Sequence, residues 1–188
     1  MKFTLITIFS IVFFFTVQTQ SQTRVVLVIE PYPPFALGIE ETITTKGIAV
    51  EIAHEIFRRI PEATLEVQLL SWARLMVEVR MGRKDGILLI YKNPEREKFM
   101  EYTLPVFSGR HVIVYSKEKN PKGIIWKTYE DLIKYKYGKV HSYSINPAFD
   151  LLITQGRIKP VTVTREIHNF KSLIKRKIDF FISNDFVA

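Results

Sequence analysis

The sequence contains no cysteine, and that one absence removes several classes of protein. No disulfide framework, thiolate-held zinc, thiol nucleophile or lipid-bearing cysteine is available to it. Nor do any of the 4 histidines pair at metal-ligand spacing. The nucleophile elbow G-x-S-x-G, the P-loop and the dinucleotide glycine fingerprint are also missing, so the sequence gives no sign of a catalytic serine or a phosphate cradle. Glycine and proline are sparse, at 8 and 9 of 188 residues. With 47% hydrophobic and 24% charged residues, the composition is that of a globular protein, neither disordered nor fibrous.

Long apolar runs are lacking too, with one exception at the start. "MKFTLITIFSIVFFFTVQTQSQ" places Lys2 ahead of an apolar core from Phe3 to Val17, then a polar stretch in which Thr19 and Ser21 take the small-residue positions before a cleavage site. The core falls short of the roughly 20 residues that span a bilayer, so residues 1–21 read as a secretory signal peptide rather than a retained anchor. Export without disulfides suits a periplasmic protein that builds its own core, with no stable membrane insertion once the leader is removed.

The net charge of +8 invites a nucleic-acid reading, but the basic residues are scattered and interleaved with acids. The densest cluster, Lys175 to Lys177, falls at the end of an expected helix, where cations favour the macrodipole. No nucleic-acid partner is expected.

Beyond the leader, the pattern is one of alternation. "TRVVLVIE" is a near-continuous apolar run, as in a strand buried on both faces. "PYPPFALG" is a proline-rich turn, and "KGIAVEIAHEIFRRI" carries Ile48, Ile52, Ile56 and Ile60 at a helical period that Pro61 ends. "TLEVQLL", "WARLMVEVRMG" and "DGILLIY" continue as strand, helix and strand, giving a βαβαβ unit with a parallel sheet. After "GRHVIVYSK" and a connector with a short helix near Tyr129 to Ile133, the alternation restarts. "YGKVHSY", "NPAFDLLITQG", "VTVTRE", "NFKSLIKRK" and "IDFFISND" form a second unit. The expected division is a first lobe over 22–115 and a second, partial βαβαβ lobe over 116–188. The last strand is followed by no further crossover, so the second lobe reads as incomplete.

Ligands of open α/β sheets bind beyond the carboxyl ends of the strands. The segments there, "PYPPF", "SWAR", "YKNPER", "HSYS" and "SND", are rich in aromatic and polar residues. The stretch "LLIYKNPERE" ends a strand with the phenol of Tyr91 and the guanidinium of Arg96, which a plain loop does not need and a carboxylate pocket can use. Arg96 could equally pair with Glu95 or Glu97 on a solvated turn.

The order "YPPF", "VEIAHEIF", the tryptophan, "GRKDGI", "NPER", "YTLPV", "YGKV" and "IDFFISND" resembles the extracellular solute-binding proteins of family 3, from about Val25 to the end of the chain. The resemblance implies a two-lobed type II periplasmic binding protein fold closing on an amino acid or another small carboxylate-bearing solute, for delivery to an ABC permease. It places Tyr32 and Phe35 against the ligand side chain and Trp72 beside them. Arg96 takes the position of the carboxylate clamp, a task suited to its planar, permanently charged fork. Ser142 and Ser144 match small polar positions of the second lobe, and Asp185, or its neighbour Asn184, matches the acid that binds the α-ammonium group.

There are departures from the family pattern. Leu89 and Tyr91 stand where hydroxyl residues are usual, His141 and Tyr143 are bulkier than the customary run, and Arg74 adds a second cation near the cleft. The carboxylate need not belong to an α-amino acid. No cofactor or metal is expected. A sensing module for a signalling partner, a dehydratase-like enzyme using His141, Glu30 or Asp185, and a fragment that binds nothing remain as alternatives.

Overall fold

A computed structural model describes residues 22–141 and 143–188. The expected signal peptide at 1–21 and Ser142 lie outside the described residues. Among those described, no helix is long and apolar enough to cross a membrane.

Two four-stranded sheets form the frame. In the first sheet, β1 (Thr23–Ile29) lies between β3 (Ala63–Leu69) and β4 (Gly86–Ile87) and runs parallel to both. Its apolar sequence suits this central place, and Val28 and Ile29 are buried. The crossovers are α1 (Ile48–Arg58) and α2 (Trp72–Arg80), which link β1 to β3 and β3 to β4. A short edge strand, β2 (Thr42–Ile43), pairs antiparallel with β3. It is too brief to have an apolar rhythm of its own.

The helical period of α1 misses its buried side by one position. Ala49, Val50 and Ala53 face the sheet, while Ile48, Ile56 and Ile60 are exposed. Small residues let the helix lie close to the strands, and the larger isoleucines form a ridge beside that contact. Gly47 opens the helix at φ 116°, and a Cβ there would run into the Phe35 carbonyl oxygen.

The apolar stretch "GILLIY" forms a ladder only over Gly86–Ile87. Leu89 adopts a left-handed conformation, φ 63°, which turns the chain away from the sheet. The chain continues into α3 (Pro94–Glu97), where Asn93 accepts a hydrogen bond from the Arg96 backbone N–H at 2.9 Å and Pro94 takes the first helical position.

The second sheet has the order β5-β8-β6-β7. Strand β5 (His111–Tyr115), which the division expected from sequence places in the first half, pairs antiparallel with β8 (Phe180–Asn184) and so belongs here. Its neighbour in space lies far along the chain, which local periodicity does not reveal. Strand β8 also runs parallel to β6 (Tyr137–Val140), and β6 to β7 (Val161–Val163). The helices are α4 (Pro147–Thr154) and α5 (Ile167–Ile174), and Tyr129–Leu132 is a 3-10 turn closed by a Thr128–Asp131 capping box. Tyr137, Phe149 and Phe180 centre the core of this lobe, with Tyr137 and Phe180 stacked at 5.2 Å. Burying each such ring contributes roughly 1.5–3 kcal/mol.

Chain segments cross between the sheets at two places that touch each other. The Asp185 backbone N–H donates to the Arg110 carbonyl at 3.0 Å, and the Asp185 carboxylate accepts from Arg110 N–H at 3.1 Å and from its Nε at 3.0 Å. Beyond this contact the chain returns to the first lobe, where Val187 packs on the core around Phe35 and Val50.

Candidate functional site

A cavity of about 80 Å³ lies between the lobes, where strand ends of both sheets meet. Each lobe supplies part of its wall: Glu30, Tyr32, Trp72 and Arg96 from the first, Tyr143 and Glu166 from the second.

The loop after β4 directs Arg96 inward. Glu95 and Glu97 do not hold it, for they pair outward with Lys98 and Lys92, each at 2.7 Å. The Arg96 side chain is 6% exposed, donates through Nη1 to the Tyr91 carbonyl at 2.6 Å, and lies 5.1 Å over the Trp72 ring. Burial lowers the pKa of the guanidinium, although its ordinary value is so high that it remains charged. A buried cation with N–H groups to spare can receive an anionic group in two parallel bonds.

Trp72 starts α2 and meets Tyr143 of the other lobe edge-on at 5.3 Å. The Tyr143 hydroxyl in turn donates to the Glu30 carboxylate across the lobe boundary. Glu30 stands where β1 gives way to the proline turn. Burial raises its pKa to about 7; the bond from Tyr143 works the other way, and the charges of Glu166 and Glu40 add to the rise. Glu166, between β7 and α5, is 8% exposed, and burial raises its pKa as well, against the lowering effect of the Ser183 and Tyr32 hydroxyls beside it. Burial is also the first cause of the raised Tyr32 and Tyr143 phenol pKa values and of the lowered His111 pKa. The cleft thus has a cationic end at Arg96, whose guanidinium lies over the Trp72 ring, and an acidic end at Glu30 and Glu166, where Glu30 is bonded to Tyr143.

The other residues singled out from sequence fall into two groups. Tyr32, Tyr91, Tyr143 and Ser144 line the cavity with Trp72 and Arg96. The Tyr91 hydroxyl accepts from Asn184 Nδ2 at 3.0 Å, and Ser144 donates to Asp150 at 2.6 Å. Phe35, Arg74 and Asp185 lie elsewhere. Phe35 is 1% exposed, packed edge-on against Phe107 and Phe186. Arg74 pairs with Glu41 at 2.7 Å on the surface. Asp185 is taken up by Arg110 at the crossing between the lobes.

Sequence reasoning misses Glu166, His111 and Ser183, and it offers Glu30 only as a catalytic acid. A signal is present for the acids. Glu30 and Glu166 both follow the carboxyl end of a strand, and the strand-end rule applied to "VTVTRE" leads to Glu166. Ser183 and His111 lie inside β8 and β5, where sequence does not say which face borders a cleft.

No curated protein sequence matches the chain. Solved structures share its fold at low identity. An ancestral arginine-binding protein bound to arginine superposes with a TM-score of 0.70 at 18% identity, covering 89% of this chain and 71% of its own. An amino acid ABC transporter substrate-binding protein from Streptococcus pneumoniae, bound to L-arginine, gives 0.66 at 16% identity, covering 87% and 68%. The GluR0 ligand-binding core from Nostoc punctiforme, in complex with L-glutamate, gives 0.63 at 20% identity, covering 88% and 70%. The architecture is therefore the two-lobed α/β fold of type II periplasmic binding proteins. The model of one sequence family matches residues 25–185, and on that match the chain belongs to the bacterial extracellular solute-binding proteins, family 3.

Proposed function

We propose that the cleft binds a small polar solute bearing a carboxylate, an amino acid or a compound of similar size, and that the protein delivers it to an ABC permease in the cell envelope. The observation that carries this reading is Arg96: a guanidinium buried at the strand ends between two lobes, with a single protein carbonyl accepting from its side chain among the described residues. Charge-assisted bonds to it contribute roughly 1.5–3 kcal/mol each. The amino acids bound by the structural neighbours support the same class of solute. A periplasmic location follows from the leader read in residues 1–21, and the role is binding rather than catalysis.

A thermal-shift screen of amino acids and small carboxylates tests this directly. A solute present at a hundred times its dissociation constant stabilises the fold by about 2.7 kcal/mol. Arg96→Lys keeps the charge but loses the planar fork, so it should melt cooperatively and lose most of that shift. If Arg96→Lys responds to the solute as the unaltered protein does, the clamp assignment is wrong.

A further inference from the structure

The acidic end of the cleft narrows the chemistry of the solute, on the premise, proposed above, that the cleft is a solute site. Glu30 and Glu166 are close enough that the charge of one acts on the other, and both line the same cavity. The charges that act on the Arg96 guanidinium are those of Tyr102 and Asp150, whereas those that act on Glu30 are Glu166 and Glu40, so the cation and the acids sit apart in the cavity. A buried carboxylate beside a half-buried one, with no cation paired to either among the described residues, is a costly arrangement unless something positive joins them.

The hydrogen-bonding groups lead to the same conclusion independently. Glu166 Oε2 and Ser183 Oγ are buried and have no hydrogen-bond partner among the described residues. The Ser183 hydroxyl is near enough to act on the Glu166 pKa, but the two do not meet in hydrogen-bonding geometry. Both residues are more than nine-tenths buried, at 8% and 3% exposure, and both border the cavity. A buried oxygen left unpaired costs about 1–3 kcal/mol, so this wall is built to accept hydrogen bonds from a partner that enters the cavity. An ionised carboxylate accepts and does not donate, so the unpartnered Glu166 oxygen favours a hydrogen-bond donor over a second anionic group. The rings of Tyr32, Trp72 and Tyr143 line the same cavity, and aromatic faces favour cations.

We propose that Glu30 and Glu166, with the Ser183 hydroxyl, form a subsite for a protonated nitrogen, so that the solute carries an amine or guanidinium cation at the end opposite its carboxylate. A neutral amide would fill the hydrogen bonds but leave the two acids uncompensated. A dicarboxylate would add charge of the wrong sign.

Calorimetric titration of the purified protein with L-arginine, L-lysine, agmatine, succinate and glutarate decides the matter. At least one of the nitrogen-bearing probes should bind, the two dicarboxylates should not, and Glu166→Gln and Glu30→Gln should each weaken the bound probe by about tenfold or more. Glutamine keeps the shape of the side chain, and two separate variants keep the test open if one of them fails to fold. Glutamine variants that bind the cation as tightly as the unaltered protein would overturn the subsite. Tight binding of a dicarboxylate would also overturn it, while leaving the solute-binding role standing. If none of the five probes binds while the thermal-shift screen finds a solute without a cationic end, the subsite is overturned and the wider reading stands.

Discussion

Tyr143, from the second lobe, gives its hydroxyl hydrogen to the carboxylate of Glu30, from the first. This bond spans 113 residues of chain and ties the walls of the cleft at its acidic end. It also satisfies one of two acids that the fold otherwise leaves short of partners.

Removing that hydroxyl should loosen the contact between the lobes. Tyr143→Phe keeps the ring against Trp72 but leaves the half-buried Glu30 without its donor, at a cost of about 1–3 kcal/mol. The expected result is a lower melting temperature together with a larger radius of gyration in small-angle scattering. An unchanged radius would mean that the lobes are held together by other contacts.

The acids of the cleft should make stability fall as pH rises toward neutrality, against a slope of opposite sign from His111, whose pKa is lowered. Folded Glu30 keeps its proton up to about pH 7, against 4.5 for a free carboxyl, so between those values the folded state binds more protons than the unfolded chain. Its contribution is therefore fully present below pH 4.5 and is lost as pH climbs through 7, with a slope of at most about 1.4 kcal/mol per pH unit. Glu166 adds a slope of the same sign, because its pKa is also raised. Glu55 acts in the opposite direction: bonds from Arg58 and Arg59 lower its pKa to about 2, so its contribution is lost only in acid, below this window. Urea titrations at half-unit pH steps measure the slope, and the double variant Glu30→Gln, Glu166→Gln should flatten it. A slope that survives both changes belongs to other groups.

Phe35 should matter for folding and not for the solute. Phe35→Ala removes a fully buried ring that touches Phe107 and Phe186, and is expected to cost about 3–5 kcal/mol. Phe35→Leu, a milder change, should lower the melting temperature while leaving solute affinity within about twofold. A tenfold loss of affinity in Phe35→Leu, with little change in melting, would put the ring in the site after all.

Much of this architecture is legible in the sequence because it rests on local rules. Apolar runs mark β1 and β8, a glycine stop marks the end of α2, and the asparagine-proline pairs mark the starts of α3 and α4. Arg96 can be found because it sits on such a turn. What cannot be read depends on pairing across distance. Strand β5 joins a partner some seventy residues away. Asp185 looks like a free acid at a strand end until Arg110 is brought beside it. Phe35 shares its proline turn with Tyr32, yet packing sends one ring to the core and leaves the other facing the cavity. The isoleucine row of α1 carries the period correctly but not the phase, because the sheet takes the small residues for its contact.

The paired crossing at Arg110 and Asp185 has a mechanical meaning. A single connecting strand would let one lobe bend, twist and slide against the other. Two strands, clamped side by side by backbone and side-chain bonds, resist twist and slide and leave bending as the soft motion. Any movement of one lobe against the other would then be confined to a narrow set of orientations, so little rotational entropy would be lost in bringing the walls together. Tyr143 would meet Glu30 again from the same direction.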